Sequence, residues 1–175
     1  MTGPATPGRL IEAGWFALRP WRTDEAEWFV TARDELVFRW TTEDPSLTAE
    51  RCREAIATAG RDQSRLAFAI VDTATDTPVG NLGIIFGAGN AELSYWIAAQ
   101  ARGRNAATAA LQAAAAWAET VAGVAELRLV THPDNTASKR VAEKAGFVPA
   151  GRVLAPHDCT TDDGMVDLYI RRPPG

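Results

Sequence analysis

The stretch from Gln100 to Thr108 constrains the fold of this chain more than any other feature of the sequence. An apolar, strand-like run from Leu93 to Ala98 precedes it, and a long alanine-rich run follows it. Because alanine has the highest helix propensity, the pattern predicts a strand, a turn at Gly103 and then a helix from about Arg104 to Val121.

This strand–loop–helix junction has the properties of an anion site. The N–H groups of a first helical turn lack partners in the helix, and the helix dipole favours negative charge near them. Gly103 carries no Cβ, so the backbone can approach a bound group closely. Arg102 and Arg104 flank that glycine, and together these features predict a bound phosphate or pyrophosphate.

The remaining segments predict an α+β (mixed α/β) fold with a mixed sheet. Antiparallel strands come first along the chain, and a strand–helix–strand–helix–strand order follows. The final helix of that order ends at Gly146, which is expected to act as its C′ residue. The predicted strands are Trp15 to Pro20, Arg65 to Asp72, Val79 to Phe86, Glu92 to Ala98, Glu126 to Thr131, Phe147 to Leu154 and Met165 to Arg171.

Bulk composition narrows the class of protein. The chain has 175 residues, 46% of them hydrophobic, and a formal net charge of −4. We therefore expect a flexible tail over residues 1–10 and a single domain over residues 11–175, with no binding to nucleic acid through a basic surface.

No apolar run approaches the roughly 20 residues that span a bilayer, so we expect no membrane contact and a cytoplasmic location. Cys52 and Cys159 form no close motif, and we expect no metal.

Three elements in a fixed order carry a family resemblance. Glu92 begins the strand before the loop. Asn135 and Ser138 follow about thirty residues after the loop, and Lys144 to Phe147 close the helix that begins there. This order resembles the GNAT superfamily of acetyl-CoA-dependent N-acyltransferases. The Asn-x-x-Ser spacing is most similar to the Rim-type branch of ribosomal-protein N-terminal-amine acetyltransferases. The resemblance extends from about Trp15 to Arg171.

The resemblance implies both a fold and a coenzyme site. The fold would be a central mixed, mostly antiparallel sheet of six or seven strands, with helices on both faces and two splayed parallel strands. Pantetheine would lie between those two strands, and the CoA pyrophosphate would lie on the loop. Lys144 would either reach the phosphates or be a solvated residue on the helix face, and Asn135 would either bind the pantetheine arm or hold the start of its helix. The implied main-chain contacts are Trp96, Ile97 and Ala98 for pantetheine, and Arg102, Gly103, Arg104, Asn105, Ala106, Ala107 and Thr108 for the pyrophosphate.

One position departs from the family pattern. Asn105 stands where the family usually carries Gly or Ala. Asparagine is among the non-glycine residues that best tolerate the left-handed backbone region. We therefore expect the loop to keep its shape at Asn105.

The resemblance also implies catalytic roles. A free alkylamine is mostly protonated at neutral pH, so transfer needs a proton acceptor, which would be Glu92. Many relatives use a tyrosine seven residues after the Asn as general acid, but that position is Ala142 here. Ser138 would then stabilise the departing thiolate. Trp40 would line the acceptor pocket beside Glu92, whereas Glu92 could also be only a solvated residue at a strand edge.

These implications define two hypotheses. The first is an acetyl-CoA-dependent N-acyltransferase that acetylates a primary amine by direct attack in a ternary complex. Its acceptor would be a protein or peptide N-terminus or a small-molecule amine, and the enzyme would be a monomer or a homodimer. The second is a non-catalytic acyl-CoA-binding or sensing module on the same fold. Glu92 and Ser138 discriminate between them, because a pure binder needs neither group.

Overall fold

The computed structural model describes residues 11–155, 161 and 163–173. The tail expected over residues 1–10 and Cys159 lie outside these described residues. Among the described residues, no helix is both long enough and apolar enough to cross a membrane.

The centre of the molecule is an eight-stranded mixed sheet. Its spatial order is β1-β2-β3-β4-β5-β6-β8-β7, and every neighbouring pair is antiparallel except β5 and β6. This confirms the expected mixed, mostly antiparallel sheet with one parallel pair. The strands are β1 (Ile11–Ala13), β2 (Phe16–Pro20), β3 (Arg65–Asp72), β4 (Pro78–Phe86), β5 (Asn90–Ile97), β6 (Glu126–Thr131), β7 (Val148–Leu154) and β8 (Met165–Arg171).

The eighth strand is the short edge strand β1, which adds one to the seven that the sequence pattern predicts. It pairs with β2 through a turn at Gly14, whose φ is +71°. Three residues are too few to show the alternation from which strands are recognised in sequence.

Helices cover both faces of the sheet, as expected. On one face, α4 and α5 pack on apolar side chains such as Leu93 and Leu127. On the other face, α1 and α3 pack beside Trp21, and α2 packs on Trp96. The helices are α1 (Ala26–Thr31), α2 (Glu35–Trp40), α3 (Ala49–Thr58), α4 (Ala106–Thr120) and α5 (Thr136–Lys144).

A short 3₁₀ turn precedes α1 at the N-terminal end of the helical segment. Thr23–Glu25 form a 3₁₀ turn, and the Arg22 N–H donates to Glu25 Oε2 at 3.0 Å, so Arg22 is the cap residue. The expected end of α5 is confirmed: Gly146 has a φ of +85°, and the Phe147 N–H donates to the Ala142 carbonyl.

The parallel strands β5 and β6 pair only at their first residues and then separate. Their paired positions run from Asn90↔Glu126 to Glu92↔Arg128, although β5 continues to Ile97 and β6 to Thr131. The expected splay is therefore present. It leaves a gap in the middle of the sheet with main-chain edges on both sides.

The loop before α4 has the backbone that its sequence predicts. Gly103 has a φ of +78°, and Asn105 lies in the left-handed region with φ 66° and ψ 12°. Asn105 is the N-cap residue of α4, so this conformation determines the direction in which the helix leaves the loop.

A β-branched residue at position 105 should destabilise the protein, because only glycine and asparagine-like residues adopt the left-handed region cheaply. We expect Asn105→Val to lower the free energy of unfolding by about 1–2 kcal/mol. Asn105→Gly removes the same side chain without that backbone cost and serves as the control. Urea denaturation of both variants measures the difference; equal midpoints would show that the loop conformation imposes no such demand.

Candidate functional site

A single cavity of about 820 Å³ joins the gap between β5 and β6 to the loop and to α2. Its volume lies in the upper part of the range of about 300–1,000 Å³ that ligand pockets occupy. The sequence-predicted site residues on its wall are Trp40, Glu92, Trp96, Ile97, Arg102, Gly103, Asn105, Ala106, Ala107, Thr108, Asn135, Ser138 and Lys144. Ala98 and Arg104 are not on this wall.

The start of α4 presents main-chain N–H groups to the cavity. Ala106, Ala107 and Thr108 form the first turn, where helix geometry provides no intrahelical acceptor. The cap residue Asn105 makes no side-chain hydrogen bond to this turn. With Gly103 on the same wall, the arrangement suits an anion held by main-chain donors.

The two arginines beside Gly103 each pair with a carboxylate. The Arg102 guanidinium makes two 2.7 Å hydrogen bonds to the carboxylate of Asp34. The Arg104 guanidinium bonds to Asp72 at 3.0 Å and lies 5.5 Å from the ring centroid of Phe16. Both guanidinium groups therefore have carboxylate partners within the protein.

The three residues expected to contact pantetheine are not equivalent. The Ala98 N–H donates to the Val79 carbonyl on β4 at 2.9 Å, and Ala98 is fully buried. Hydrogen-bonding direction alternates along a strand, so the main-chain groups of Trp96 also point to β4, whereas those of Ile97 and Tyr95 point to the gap. Among the expected residues, Ile97 is the one whose backbone faces the gap.

Glu92 and Tyr95 lie on opposite faces of β5. They are three residues apart on a strand, so their side chains point to opposite sides of the sheet. Glu92 shares its face with Trp96, which packs against α2. Tyr95 packs instead on the core beneath α4 and α5. The gap between the strands connects the two sides at this point.

Asn135 and Ser138 form the start of α5. Asn135 is the N-cap residue, and its Oδ1 accepts a 3.0 Å hydrogen bond from the Ser138 N–H. The Ser138 hydroxyl lies 3.0 Å from the hydroxyl of Tyr95. Burial raises the pKa of the Tyr95 phenol, and the contact with Ser138 offsets this only in part. Tyr95 thus stays protonated and paired with Ser138.

Tyr95 is a site residue that the sequence did not reveal. It lies 43 positions before Ser138, and no local motif connects the two. Thr131 at the end of β6 was missed as well: its hydroxyl is buried, lines the cavity and has no hydrogen-bond partner among the described residues. Arg140 was missed too, although its position one helical turn before Lys144 on the same cavity wall is visible in the sequence.

The other end of the cavity is walled by α2 and the loop after it. The Trp40 ring lies 5.0 Å from the ring of His132, which follows β6. Glu43 lines this part of the cavity and accepts hydrogen bonds from Trp96 Nε1 and Arg33 Nη1, each at 3.1 Å. His132 thus packs against Trp40 at this end of the cavity. No cluster of potential metal ligands occurs among the described residues.

Comparisons with known proteins agree with this geometry. A family model for the acetyltransferase (GNAT) domain matches residues 16–148. No curated protein sequence matches the chain significantly.

Several solved structures share the fold. RimJ of Mycobacterium smegmatis in complex with CoA-disulfide has a TM-score of 0.80 and 25% identity, over 97% of this chain and 90% of that one. The ribosomal-protein-S5-alanine acetyltransferase of Vibrio fischeri has a TM-score of 0.80 and 14% identity, over 94% and 96%. A chimera of spermidine N-acetyltransferase SpeG from Vibrio cholerae and hSSAT has a TM-score of 0.76 and 18% identity, over 91% and 96%.

The ion pair between Asp34 and Arg102 should appear in the acid stability of the protein. The Arg102 guanidinium lowers the pKa of Asp34 to about 2. Since the pKa of an unfolded aspartate is about 3.9, the folded state binds the proton less readily, and Asp34 stabilises the fold above about pH 4. This contribution is lost progressively as the pH falls to about 2.

We therefore expect the difference in unfolding free energy between the wild type and Asp34→Asn to shrink from pH 5 to pH 2. The Asp34 side chain is 38% exposed, so we expect about 1 kcal/mol at pH 5 after solvent screening. Urea denaturation at several pH values measures it. A difference that stays constant over this range would contradict the assignment.

Proposed function

Because the chain belongs to the GNAT acetyltransferase family, we propose that it transfers the acetyl group of acetyl-CoA to a primary amine by direct attack in a ternary complex. One observation carries the proposal. A single cavity contains the first turn of α4, the gap between β5 and β6, Glu92 and Ser138. The cavity thus brings together an anion site, a slot for an extended chain and two groups that are able to exchange protons.

The residues around the cavity fit acetyl-CoA as a substrate. The first-turn amides of α4 suit the pyrophosphate, and the positive charges of Arg140 and Lys144 suit further phosphate. The Thr131 hydroxyl is buried without a partner in the described part of the chain, which is costly unless a ligand supplies one. The amide groups of pantetheine are suitable partners for it and for the exposed edges of the diverging strands.

The acceptor would approach from the α2 face of the sheet. Glu92 points to this face and is proposed to take the proton from the attacking amine, directly or through water. Trp40 provides an apolar wall for the acceptor, and the carboxylates of Glu43 and Asp44, each paired with an arginine, line the same part of the cavity. Their oxygens can accept hydrogen bonds from an alkylammonium, the form of the amine that dominates in solution.

The departing sulfur would lie on the other face, beside α5. As the C–N bond forms and the C–S bond breaks, Ser138 is proposed to donate a hydrogen bond and then a proton to the thiolate. The Tyr95 hydroxyl, 3.0 Å away, supplies the replacement proton. An alkylammonium loses two protons as it becomes an amide. One passes through Glu92 and solvent to this hydroxyl pair, where it replaces the proton given to the thiolate, and the other is released to solvent. Neither of the two cysteines is used, and no covalent enzyme intermediate is needed.

The acceptor is a protein or peptide N-terminus or a small-molecule amine. The S5-alanine acetyltransferase is named for a ribosomal protein and SpeG for spermidine, and both share the fold of this chain. The net charge of −4 gives no support for docking on a ribosome by charge. We also propose that the protein is located in the cytoplasm.

The alternative is an acyl-CoA-binding module without catalysis. A binder needs the α4 amides and the gap, but it has no use for Glu92 on one face and a Ser138–Tyr95 pair on the other. Their placement on opposite sides of the same gap favours the enzyme.

An acceptor screen tests the catalytic proposal. With acetyl-CoA and a panel of N-terminal peptides, amino acids and polyamines, we expect CoA release with at least one amine. On that amine, Glu92→Gln should lower kcat by about 10²–10⁴-fold while CoA affinity, measured by calorimetry, stays unchanged. CoA binding without turnover on any amine, together with unchanged binding in Glu92→Gln and Ser138→Ala, would support the binding module instead.

The role of Tyr95 has its own test. Tyr95→Phe keeps the ring that packs on the core and removes only the hydroxyl, so we expect a stable protein with kcat lowered by about tenfold or more. Ser138→Ala should show at least as large a loss, and the double variant little more, because the two hydroxyls act in one chain. Additive losses would indicate two independent roles.

A further inference from the structure

The guanidinium of Arg102 joins the loop before α4 to the start of α2. Its two terminal nitrogens donate to the two carboxylate oxygens of Asp34, each at 2.7 Å. Its Nε donates to the Ile97 carbonyl at the end of β5, at 3.0 Å. All three nitrogens of this side chain therefore have protein partners.

Asp34 is also the residue that starts α2. Its Oδ1 accepts a 3.1 Å hydrogen bond from the Val37 N–H, which caps the helix. A helix of six residues, such as Glu35–Trp40, has little stability of its own. Its position therefore depends on the contacts at its two ends and on the packing between them.

The far end of α2 is attached to the other strand. Trp40 contacts His132, which follows β6, whereas Arg102 and Ile97 belong to the end of β5. Between the two ends, Val37 packs on Trp96 and Ala98. The helix thus bridges the two strands whose separation forms the gap, and it is also the wall of the proposed acceptor site.

Resting on the proposed function, we propose that Arg102 is a positioning residue that couples CoA binding to the acceptor wall, and not a phosphate ligand. An anion held by the N–H groups of residues 103–108 restrains the loop from which Arg102 extends. The ion pair with Asp34 transmits that restraint to α2. By linkage, a wall ordered by an acceptor increases the affinity for CoA by the same factor.

A second ion pair to the same loop provides a matched control. Asp72 pairs with Arg104 at 3.0 Å, but Asp72 lies on β3, and no hydrogen bond or ion pair of the described residues joins it to α2. Asp72 also accepts a main-chain hydrogen bond, from the Ala74 N–H at 3.0 Å. Asp34→Asn and Asp72→Asn therefore each keep a main-chain acceptor and each remove one ion pair to the loop.

Hydrogen–deuterium exchange with and without CoA tests the coupling in the whole chain. In the wild type and in Asp72→Asn, we expect saturating CoA to slow exchange of amides 35–41 by about fivefold or more. In Asp34→Asn these amides should exchange faster in the free protein, and CoA should no longer slow them. A purely structural role would raise exchange by the same factor with and without CoA, and it would overturn the coupling.

Calorimetry of CoA binding completes the test. We expect Asp34→Asn and Arg102→Gln to keep CoA affinity within about threefold of each other, since both break the same link. A loss of tenfold or more in Arg102→Gln alone would show that Arg102 is a phosphate ligand and would overturn the proposal. If CoA fails to bind the wild type, the proposed function and the coupling both fail. CoA binding without slowed exchange in α2 would overturn the coupling alone.

Discussion

The divergence of β5 from β6 is the constraint on which the rest of this structure depends. Main-chain groups at a sheet interior are normally paired, and unpaired ones are costly when buried. Here the pairing stops at Glu92↔Arg128, while both strands run on for several residues. A cavity-facing edge is thus created in the centre of the sheet, where the flanking strands hold it rigid. An extended substrate chain with amide groups restores the missing pairing, which is the physical basis for placing pantetheine there.

The divergence also separates the two halves of the proposed chemistry. A strand points successive side chains to opposite faces, so Glu92 faces the acceptor side and Tyr95 faces the sulfur side. In a closed sheet these groups would be isolated from each other by the backbone. Because the sheet is open beside them, a reacting carbonyl in the gap can be reached from both faces. In the proposed mechanism, the proton acceptor and the proton donor therefore act on one carbonyl without direct contact between them.

Local sequence predicted most of the fold, the backbone of the loop and the α5 cap, because each depends on neighbours in the chain. Gly103, Asn105 and Asn135 owe their conformations to intrinsic preference and to partners within three residues. The features that local sequence does not reveal concern partners distant in the chain. Arg102 and Arg104 look equivalent beside Gly103, yet their carboxylates lie 68 and 32 positions away. In the sequence, Tyr95 looks like an ordinary aromatic residue of a strand, and only the fold brings Ser138 next to it. Sequence alone could therefore not identify the partners of Tyr95 and of the two arginines.

The acceptor wall is the part of the site with the least intrinsic stability. The proposed coenzyme half consists of β5, β6 and the fifteen-residue α4, all packed on one core. The proposed acceptor half is the six-residue α2, whose contacts include the ion pair of Asp34, the ring contact of Trp40 and the packing of Val37. Substitutions in α2 can therefore reshape the acceptor pocket at little cost to the core or to coenzyme binding. Such a division allows one architecture to retain acetyl-CoA while its amine changes from a protein terminus to a polyamine.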